Sequence, residues 1–388
     1  MTKSERIAAI DIGSDTIHLL IGSVAGSGDG PLVKRIEQEG ELLLLGGRVA
    51  LSGRIGERAT ADLQKTLLRF VAIGRKRASR VVVGATEALR RAEDGPAIVE
   101  RLSKASGVPV RVLSGDREAS LDFAGVLHRL DRTGVQLIID SGGASTELTL
   151  TEGRRRLASA SLPVGAALIG ATLRGDPPQT LSWALRARQI GVTLAAAPSG
   201  KPVRAWATGG SAHNLAGLER TRGKSGPQLL TMPALDKLAT RLVSTPSKKL
   251  ARTSGEDPRR VAILPPGLLI IASVLEHYGL DAVTVVPEGV REGMILAVSE
   301  LGDDWWRDQP GRSSTPRRSP GDKPATRARS RPRAQTPQTG PATGDPGQSQ
   351  SLAQAAEASG RPSAGRASGG ARSPTRSAPR LRTATPPA

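Results

Sequence analysis

Two Asp-Gly loops, each set between short apolar runs, constrain the fold of this chain more than any other sequence feature. They read Asp11-Ile12-Gly13-Ser14-Asp15-Thr16 and Asp140-Ser141-Gly142-Gly143-Ala144-Ser145-Thr146-Glu147. Apolar runs on both sides of a glycine-containing loop are typical of a strand, a tight turn and a second strand. A single Asp-x-Gly is more often only a hairpin turn. Two copies in matching contexts predict a duplicated fold in which each half opens with such a hairpin.

The residue types in these loops suit the binding of phosphate groups. Glycine lets the backbone approach an anion closely, so several N–H groups can point at phosphate oxygens, and serine and threonine hydroxyls add donors. The aspartates can hold a divalent cation directly or through water. Two such hairpins that face each other would grip a phosphate chain from both sides. The chain has neither a Gly-x-Gly-x-x-Gly after a strand nor a Walker A loop.

Helical and strand patterns alternate along most of the chain. Apolar residues recur at helical spacing from Glu57 to Lys76, and Arg80 to Gly84 reads as a buried strand. The alternation restarts after the second loop, which predicts an α/β fold of two halves with a site in the cleft between them. The predicted parts are a first domain at residues 1–128, a second at 129–288, and a helix at 289–302 that packs back on the first.

The composition changes sharply near Pro310. Residues 309–388 contain 14 Lys and Arg against 3 Asp and Glu, and 13 of the 28 prolines, in a chain of net charge +19. This segment has almost no large apolar side chains, so burial cannot offset the entropy of ordering it. We predict a disordered basic tail that either binds polyanions, such as polyphosphate or nucleic acid, or is simply solvated.

Several functional classes are excluded by what the sequence lacks. It has no cysteine, which excludes disulfides, thiolate metal sites and a thiol nucleophile. Its four histidines lack metal-ligand spacing, and we expect His18 and His213 to be packing residues rather than ligands. The longest apolar stretch, Ala262 to Leu275, is too short to span a bilayer and contains two prolines. No export signal is recognisable, so we expect a cytoplasmic protein without membrane association.

Seven segments in consistent order resemble the exopolyphosphatase and guanosine pentaphosphate phosphatase family over roughly residues 6 to 300. The two Asp-Gly loops are the first and fourth of them. The other five are Ala85-Thr86-Glu87-Ala88-Leu89-Arg90, Leu113-Ser114-Gly115-Asp116-Arg117-Glu118-Ala119, Ser161-Leu162-Pro163-Val164-Gly165-Ala166, Ala207-Thr208-Gly209-Gly210-Ser211-Ala212 and Gly289-Val290-Arg291-Glu292-Gly293. The resemblance implies the duplicated actin-like fold that this family shares with sugar kinases and heat-shock chaperone ATPases. The chain resembles the short, two-domain members.

The resemblance also implies roles for individual residues in the hydrolysis of a terminal phosphoanhydride. Glu118 matches the family's catalytic glutamate and is the candidate base; without the resemblance, a first-turn glutamate complementing the helix dipole is the simpler interpretation. Glu147 is the second candidate catalytic carboxylate, although a hairpin carboxylate facing solvent would look the same in sequence. Asp11 and Asp140 are the candidate Mg²⁺ ligands. The candidate phosphate contacts are Gly13, Ser14, Asp15, Arg90, Gly142, Gly143, Ala144, Ser145, Gly209 and Gly210.

Four positions depart from the family pattern. The family usually carries Asn where Asp15 stands, Glu where Arg117 stands, Gly where Ala144 stands, and an Arg-Ala-Asp run where Arg260-Val261-Ala262 stands. A carboxylate at residue 15 repels phosphate unless a cation neutralises it, and the Ala144 methyl group limits backbone approach. These departures leave the substrate preference and the rate open.

We predict an Mg²⁺-dependent exopolyphosphatase that releases phosphate from the end of inorganic polyphosphate. One alternative is a guanosine pentaphosphate 5′-phosphohydrolase, since both substrates present a terminal phosphoanhydride. A second is a non-catalytic regulator that binds polyphosphate or an alarmone, although the presence of both Glu118 and Glu147 argues against it. A sugar or carboxylate kinase is disfavoured, because the segment around Glu118 points to water activation. A homodimer is a further option.

Overall fold

Two mixed β-sheets with the same internal strand order form the framework of the protein. The computed structural model describes residues 5–27, 30–219 and 227–308, which belong to one unit. The predicted tail, residues 309–388, lies outside the described residues, so its disorder stays a prediction.

The first sheet has five strands in the order β3-β2-β1-β4-β5. Strands β1, β2 and β3 form an antiparallel meander, whereas β4 and β5 run parallel to β1. The strands are β1 (Arg6–Ile12), β2 (Thr16–Ser27), β3 (Gly30–Leu42), β4 (Arg80–Ala85) and β5 (Val110–Val112).

The second sheet has six strands in the order β10-β11-β9-β6-β7-β8. Strands β6, β7 and β8 again form an antiparallel meander, and β9 and β11 continue the sheet in parallel with β6. The strands are β6 (Val135–Ser141), β7 (Thr146–Glu152), β8 (Arg155–Leu162), β9 (Arg204–Thr208), β10 (Gln228–Thr231) and β11 (Ala282–Val285). Apart from the added β10, the order repeats that of the first sheet. The prediction of a duplicated, actin-like α/β fold is therefore confirmed.

Helices cover the sheets and connect their parallel strands, as right-handed α/β packing requires. They are α1 (Leu45–Ser52), α2 (Glu57–Arg77), α3 (Glu87–Arg91), α4 (Gly95–Ser106), α5 (Gly115–Val126), α6 (Ala166–Gly170), α7 (Thr180–Thr193), α8 (Gly209–Glu219), α9 (Met232–Ser244), α10 (Ser247–Ser254), α11 (Pro258–Ala262), α12 (Leu264–Tyr278) and α13 (Val290–Leu301). No helix in the described part of the chain is long and apolar enough to cross a membrane.

Alternation along β1 buries the first sheet on both faces, because successive side chains of a strand point to opposite sides. Ala8 and Ile10 belong to the core that contains Phe70 of α2. Ile7 belongs to the core on the other face, with Ile295 of α13. Helix α13 thus packs on the first sheet. The domain limits at residues 128 and 288 stay a prediction.

The apolar helix α12 dominates the second core. All its residues from Leu264 to Ala272 are buried, and it packs against α6, α7, α8 and α9. This core includes Leu137 and Ile139 of β6, the strand that leads into the second Asp-Gly loop. Burial on this scale holds the end of β6 in a fixed place, which matters for the aspartate there.

Some elements escaped the sequence analysis for physical reasons. Strand β3 carries Glu37, Glu39 and Glu41 on one face, and these pair with Arg69 and Arg77 of α2 at 2.7 to 2.9 Å. A strand whose covered face is charged has no apolar signature. Helix α7 was also not foreseen, since only two of its residues are buried.

The helix that carries the candidate base begins earlier than the sequence suggested. The sequence pattern predicts this helix from Glu118 to Leu130, but α5 spans Gly115–Val126 and a short 3₁₀ turn follows. The Ser114 hydroxyl accepts the Arg117 N–H at 3.0 Å and so caps a helix that begins at Gly115, three residues before the expected start. Glu118 is therefore the fourth residue of the helix rather than the first.

Candidate active site

The two Asp-Gly loops have the same turn geometry and touch each other. In each loop the first glycine N–H donates to the carbonyl of the residue three positions later, Gly13 to Thr16 at 2.9 Å and Gly142 to Ser145 at 3.0 Å. A Cβ atom placed on Gly143 would lie 2.6 Å from Asp15 Oδ2 and 2.8 Å from Ser14 Cβ. Only a glycine permits this approach of the second loop to the first. The loops therefore face each other, as the clamp hypothesis requires.

A cavity of about 490 Å³ lies along both loops. Its lining includes most of the candidate site residues, namely Asp11, Gly13, Ser14, Asp15, Glu118, Asp140, Gly142, Gly143, Ser145, Gly209 and Gly210. Arg90, Ala144 and Glu147 are the candidates that do not line it. Residues from both sheets and from α5, α8 and α13 thus meet around one space.

Glu118 reaches the cavity from the first turn of α5. Its side chain is largely buried, and Oε2 lies 3.5 Å from the Arg90 guanidinium. Burial raises the pKa of Glu118 well above its usual range, with a contribution from the nearby Glu147 carboxylate, whereas Arg90 opposes the shift. A carboxyl group that lies in a cleft and has a raised pKa is typical of a general base or acid.

Arg90 lies behind Glu118 rather than in the cavity wall. Its guanidinium contacts the Glu87 carboxylate and donates to the Leu113 carbonyl, in addition to facing Glu118. These contacts satisfy much of its donor capacity and hold it beside the candidate base. A direct phosphate contact from Arg90 stays a prediction, and its observed contacts favour a role in holding Glu118.

Glu147 lies in β7 directly opposite Asp140 of β6. It is only 2% exposed, so the interpretation as a hairpin carboxylate facing solvent is wrong. Its Oε1 accepts the Ser161 hydroxyl at 2.7 Å, and Ser145 also hydrogen-bonds the carboxylate. Burial and then the Asp140 charge raise the pKa of Glu147 to about 8. Its catalytic role stays a prediction.

Asp11 and Asp140 occupy matching positions at the ends of β1 and β6. Burial raises the pKa of Asp11 to about 7 and that of Asp140 to about 6, while Arg291 favours the charged form of both. Asp11 Oδ1 is buried and has no hydrogen-bond partner among the described residues. Such an oxygen, next to further carboxylates, suits a divalent cation.

The fit to Mg²⁺ depends on ligands beyond the protein. Among the described residues, no group of three or more His, Asp or Glu side chains is placed to hold a metal ion. Mg²⁺ usually keeps several waters and takes one or two carboxylates together with substrate phosphates. Asp11 and Asp140 therefore fit that coordination style, in which the substrate completes the site.

Three arginines that were not among the predicted site residues line the cavity. Arg260 lies in α11 and Arg291 in the first turn of α13, and neither forms an ion pair within 4.0 Å with another described residue. Arg35 of β3 is instead held by Glu292 and the Pro287 carbonyl. Arg291 lies in one of the seven matching segments, and Arg260 is the residue of its departing run that keeps the family's arginine, so the resemblance was the available signal. Their free guanidinium groups suit phosphate oxygens.

The two histidines expected to be packing residues both line the cavity. Burial, followed by the nearby Arg291 charge, lowers the pKa of His18 to about 3, and burial also lowers that of His213. His213 Nδ1 is 3.0 Å from the Gly209 carbonyl oxygen. Both rings are therefore neutral at neutral pH and offer hydrogen bonds rather than charge.

The departures from the family pattern are distributed around the site. Asp15 lines the cavity, and burial raises its pKa to about 6 while Arg260 favours its charged form. Ala144 is buried beside Gly165, outside the cavity lining, and Ala262 is exposed. The Arg117 guanidinium points to the C-terminal end of the described chain and donates to the Trp305 carbonyl. Only Asp15 therefore changes the charge of the cavity wall.

One buried acid near the site was missed entirely. Asp122 lies one helical turn after Glu118 on α5, is 2% exposed, and accepts the Thr208 hydroxyl at 2.9 Å. Thr208 ends β9 in register with Asp140 and also hydrogen-bonds its carboxylate. Burial and the Asp140 charge raise the pKa of Asp122 well above its usual range. No sequence pattern distinguishes it from a surface helix aspartate.

Two touching Asp-Gly loops, a buried glutamate in the first turn of α5 and unpaired arginines meet around one cleft of the duplicated α/β fold, an arrangement suited to binding phosphate groups. The chain belongs to the Ppx/GppA phosphatase family, whose family model matches residues 23–301.

Individual relatives agree with this assignment. The chain is 27% identical over 303 residues to exopolyphosphatase 1 of Mycobacterium leprae, covering 75% of this chain and 88% of that protein. The structure of the Ppx/GppA enzyme of Aquifex aeolicus matches with a TM-score of 0.63 and 26% identity, over 76% of this chain and all of the other. That of an exopolyphosphatase from Cytophaga hutchinsonii matches in fold, with a TM-score of 0.69 and 24% identity over 76% and 98% of the two chains.

Proposed function

We propose that this phosphatase is an exopolyphosphatase that hydrolyses the terminal phosphoanhydride of inorganic polyphosphate with Mg²⁺. The observation that carries the proposal is the position of Glu118, which lines the same cavity as both phosphate loops. A terminal phosphate held between the loops would lie beside this carboxylate, where a water molecule can be oriented for in-line attack.

Different residues of the chain bind the substrate, neutralise its charge and activate the water molecule. The loop N–H groups and the Ser14 and Ser145 hydroxyls fix the phosphate chain, and Arg260 and Arg291 neutralise oxygens on which charge develops. Glu118 orients the water and takes its proton. Mg²⁺ held by Asp11 and Asp140 supplies further charge neutralisation for the leaving phosphate when bound.

Glu118 must be ionised to act as a base, whereas burial favours its protonated form. Arg90 at 3.5 Å stabilises the carboxylate, and cations that enter the cleft lower the pKa in the same direction. The raised pKa therefore brings the group closer to neutral pH, where a carboxylate is both ionised and basic enough to accept a proton.

A nucleotide substrate, guanosine pentaphosphate, is the second candidate, and a different part of the cavity favours it. The lining also contains Gln38, Glu39, Asn214 and Glu288. Glu39 is paired with Arg69 and Glu288 with Arg129, so the amides of Gln38 and Asn214 are the side chains available to a base or a ribose. A nucleoside would use both the N–H donors and the carbonyl acceptors of these amides, whereas polyphosphate has no donor for their carbonyls.

The experiment that tests the proposal is phosphate release from polyphosphates of several lengths and from guanosine pentaphosphate, measured side by side with Mg²⁺. We expect polyphosphate to have the higher kcat/KM, and Glu118→Gln to lower turnover by about two to four orders of magnitude while substrate still binds. Turnover of Glu118→Gln within about threefold of wild type would move the base to Glu147. A clear preference for guanosine pentaphosphate would replace the first candidate with the second.

A further inference from the structure

The last described residues, Gly302 to Asp308, return from α13 to the N-terminus of α5, and we call this segment the C-terminal clasp. Trp305 is 3% exposed and belongs to the same core as Leu113 and Leu121, which flank the start of α5. Trp306 stacks under the Arg111 guanidinium at 4.7 Å. The clasp is therefore bound to the protein by packing as well as by polar contacts.

Two of the polar contacts reach the first turn of α5. The buried Arg117 guanidinium donates to the Trp305 carbonyl, with Nε at 2.9 Å. The Ser114 hydroxyl donates to Asp308 Oδ1 at 2.6 Å. Arg117 and Ser114 lie directly before Glu118 and at the helix cap, so both contacts act on the backbone that positions the candidate base.

The contact between Ser114 and Asp308 supports the N-terminal cap of α5, because a hydroxyl group can donate one hydrogen bond and accept others at the same time. A serine hydroxyl has one proton and two lone pairs. Its proton goes to Asp308, which leaves a lone pair to accept the Arg117 N–H at 3.0 Å. The carboxylate thus fixes the rotamer in which Ser114 caps α5, and the cap fixes where the first turn begins.

The Arg117 side chain is buried and hydrogen-bonded to the Trp305 carbonyl, unlike a surface arginine whose charge contributes only to solubility. Burying a guanidinium is costly unless its donors are satisfied, and the Trp305 carbonyl satisfies two of them. A glutamate at this position, as the resembling family carries, could not donate to a carbonyl. The clasp and the arginine are therefore matched features of this chain.

We propose that Arg117 and the C-terminal clasp hold the first turn of α5 in the position that aims Glu118 into the cavity. Arg117 acts as a positioning residue, since it does not line the cavity and its guanidinium donates to the Trp305 carbonyl. The inference rests on the proposed role of Glu118 and assigns a function to residues 302–308, which lie beyond the matched family region.

The test compares Arg117→Met, which removes the donors, with Arg117→Lys, which keeps one charged donor, and with Asp308→Ala at the exposed end of the clasp. Arg80→Met is the matched control, because it breaks the 2.5 Å contact to Asp303 in the same segment without touching α5. Kinetics with polyphosphate and Mg²⁺ are measured at a temperature at which all variants are folded. Hydrogen exchange of the amides of residues 115–119 is measured in parallel.

We expect Arg117→Met and Asp308→Ala to lower kcat by about tenfold to a hundredfold with little change in KM, because small misplacements of a catalytic group have such effects. Arg117→Lys should recover part of the loss. Hydrogen exchange in the first turn of α5 should be faster in Arg117→Met and Asp308→Ala than in wild type, and less so in Arg117→Lys. Arg80→Met should behave like wild type.

Unchanged kcat and unchanged exchange in both Arg117→Met and Asp308→Ala would overturn the inference. If Arg117→Met does not fold, Asp308→Ala decides, since this side chain lies at an exposed contact. The exchange measurement also separates the two proposals. Failure of wild type to release phosphate would count against the proposed function, whereas protected amides in the variants would count against the clasp.

Discussion

At the scale of single residues, the unusual feature is a concentration of buried acids. Asp11, Glu118, Asp122, Asp140 and Glu147 all have raised pKa values, mainly through burial, and for all but Asp140 the charge of a neighbouring acid adds to the shift. Isolated buried carboxylates are so costly that proteins protonate them, pair them or give them a cation. Without a ligand, some of these carboxyl groups therefore keep their protons, and a bound cation would displace those protons.

The same groups predict how stability depends on pH in the absence of divalent cations. Folded pKa values of about 7 for Asp11 and about 8 for Glu147 exceed the values of these groups in the unfolded chain. At pH values between the unfolded and the folded pKa, the folded state therefore binds more protons than the unfolded state. The free energy of unfolding should then fall as pH rises from about 6.5 to about 8.5. His18 and His213, with lowered pKa values, act in the opposite direction only below about pH 6.5.

Thermal melting across that range, in the presence of a chelator, measures the effect. Glu147→Gln should flatten the dependence, because it removes one group that must ionise inside the protein. A melting temperature that rises from about pH 6.5 to about pH 8.5 would contradict the raised values.

Asp122 and Thr208 should act as one unit on Asp140. The Thr208 hydroxyl contacts both carboxylates, so losing either partner frees the Asp140 side chain to rotate. We expect Asp122→Ala and Thr208→Val each to weaken Mg²⁺ saturation by about tenfold to a hundredfold. The double variant should be no worse than either single one. Asp122→Asn, which keeps the hydrogen bond, should remain close to wild type, and additive losses would show that the two residues act separately.

At the scale of elements, glycines set how closely helices approach one another at the site. A Cβ atom on Gly293 of α13 would overlap the backbone of Leu121, and one on Gly125 of α5 would overlap the Gly289 carbonyl. Helix α5 is thus held against α13 without intervening side chains, which leaves little room for it to move. Glu118 and Arg291, one on each helix, gain their relative position from this contact.

Gly293→Ala and Gly191→Ala form a matched test, since both replace a glycine inside a helix. Alanine at Gly293 meets the Leu121 backbone, so α13 and α5 must separate, and we expect a strong loss of melting temperature and of turnover. At Gly191 in α7 nothing lies within 4 Å, and alanine should stabilise the protein by about 0.5–1 kcal/mol. Equal melting temperatures for the two variants would show that the α5–α13 contact adapts.

At the scale of the whole molecule, the described part of the chain ends close to the candidate base. Asp308, the last described residue, contacts Ser114 four positions before Glu118. A segment with 14 cationic side chains that begins there can bind a long polyanion close to the cavity through contacts that release counterions. We propose this tethering role for the segment.

Truncation after Asp308 tests the tether while leaving the clasp in place. Turnover on short polyphosphates should stay within about twofold, but KM for long chains should rise at low salt, with a difference that shrinks as salt increases. A full-length variant whose tail cations are replaced by glutamine separates charge from length. Equal KM values for long chains at low ionic strength would exclude the tether. Truncation after Leu301, by contrast, should also lower kcat, because it removes Trp305.

The sequence alone determined the architecture and the loops. The two Asp-Gly hairpins between apolar runs indicated the duplicated fold, since turn chemistry and strand alternation are local properties. Resemblance then added Glu118, which the structure places in the cavity with both loops. The lengths of α2, β4 and α13 were also close to their predicted ranges, because a buried face imposes its period on the residues themselves.

Only the tertiary structure decided which side chains share a space. Charged β3 has no apolar period, because its glutamates are covered by arginines of α2 that are distant in sequence. Arg260 and Arg291 stay free while Arg35 and Arg90 are paired, a distinction that depends on neighbours from other elements. Asp122 and Arg117 each look like surface helix residues in sequence. Their burial follows from how α5 packs between the two sheets and the C-terminal clasp, and contacts across such distances in the chain leave no periodic signal in it.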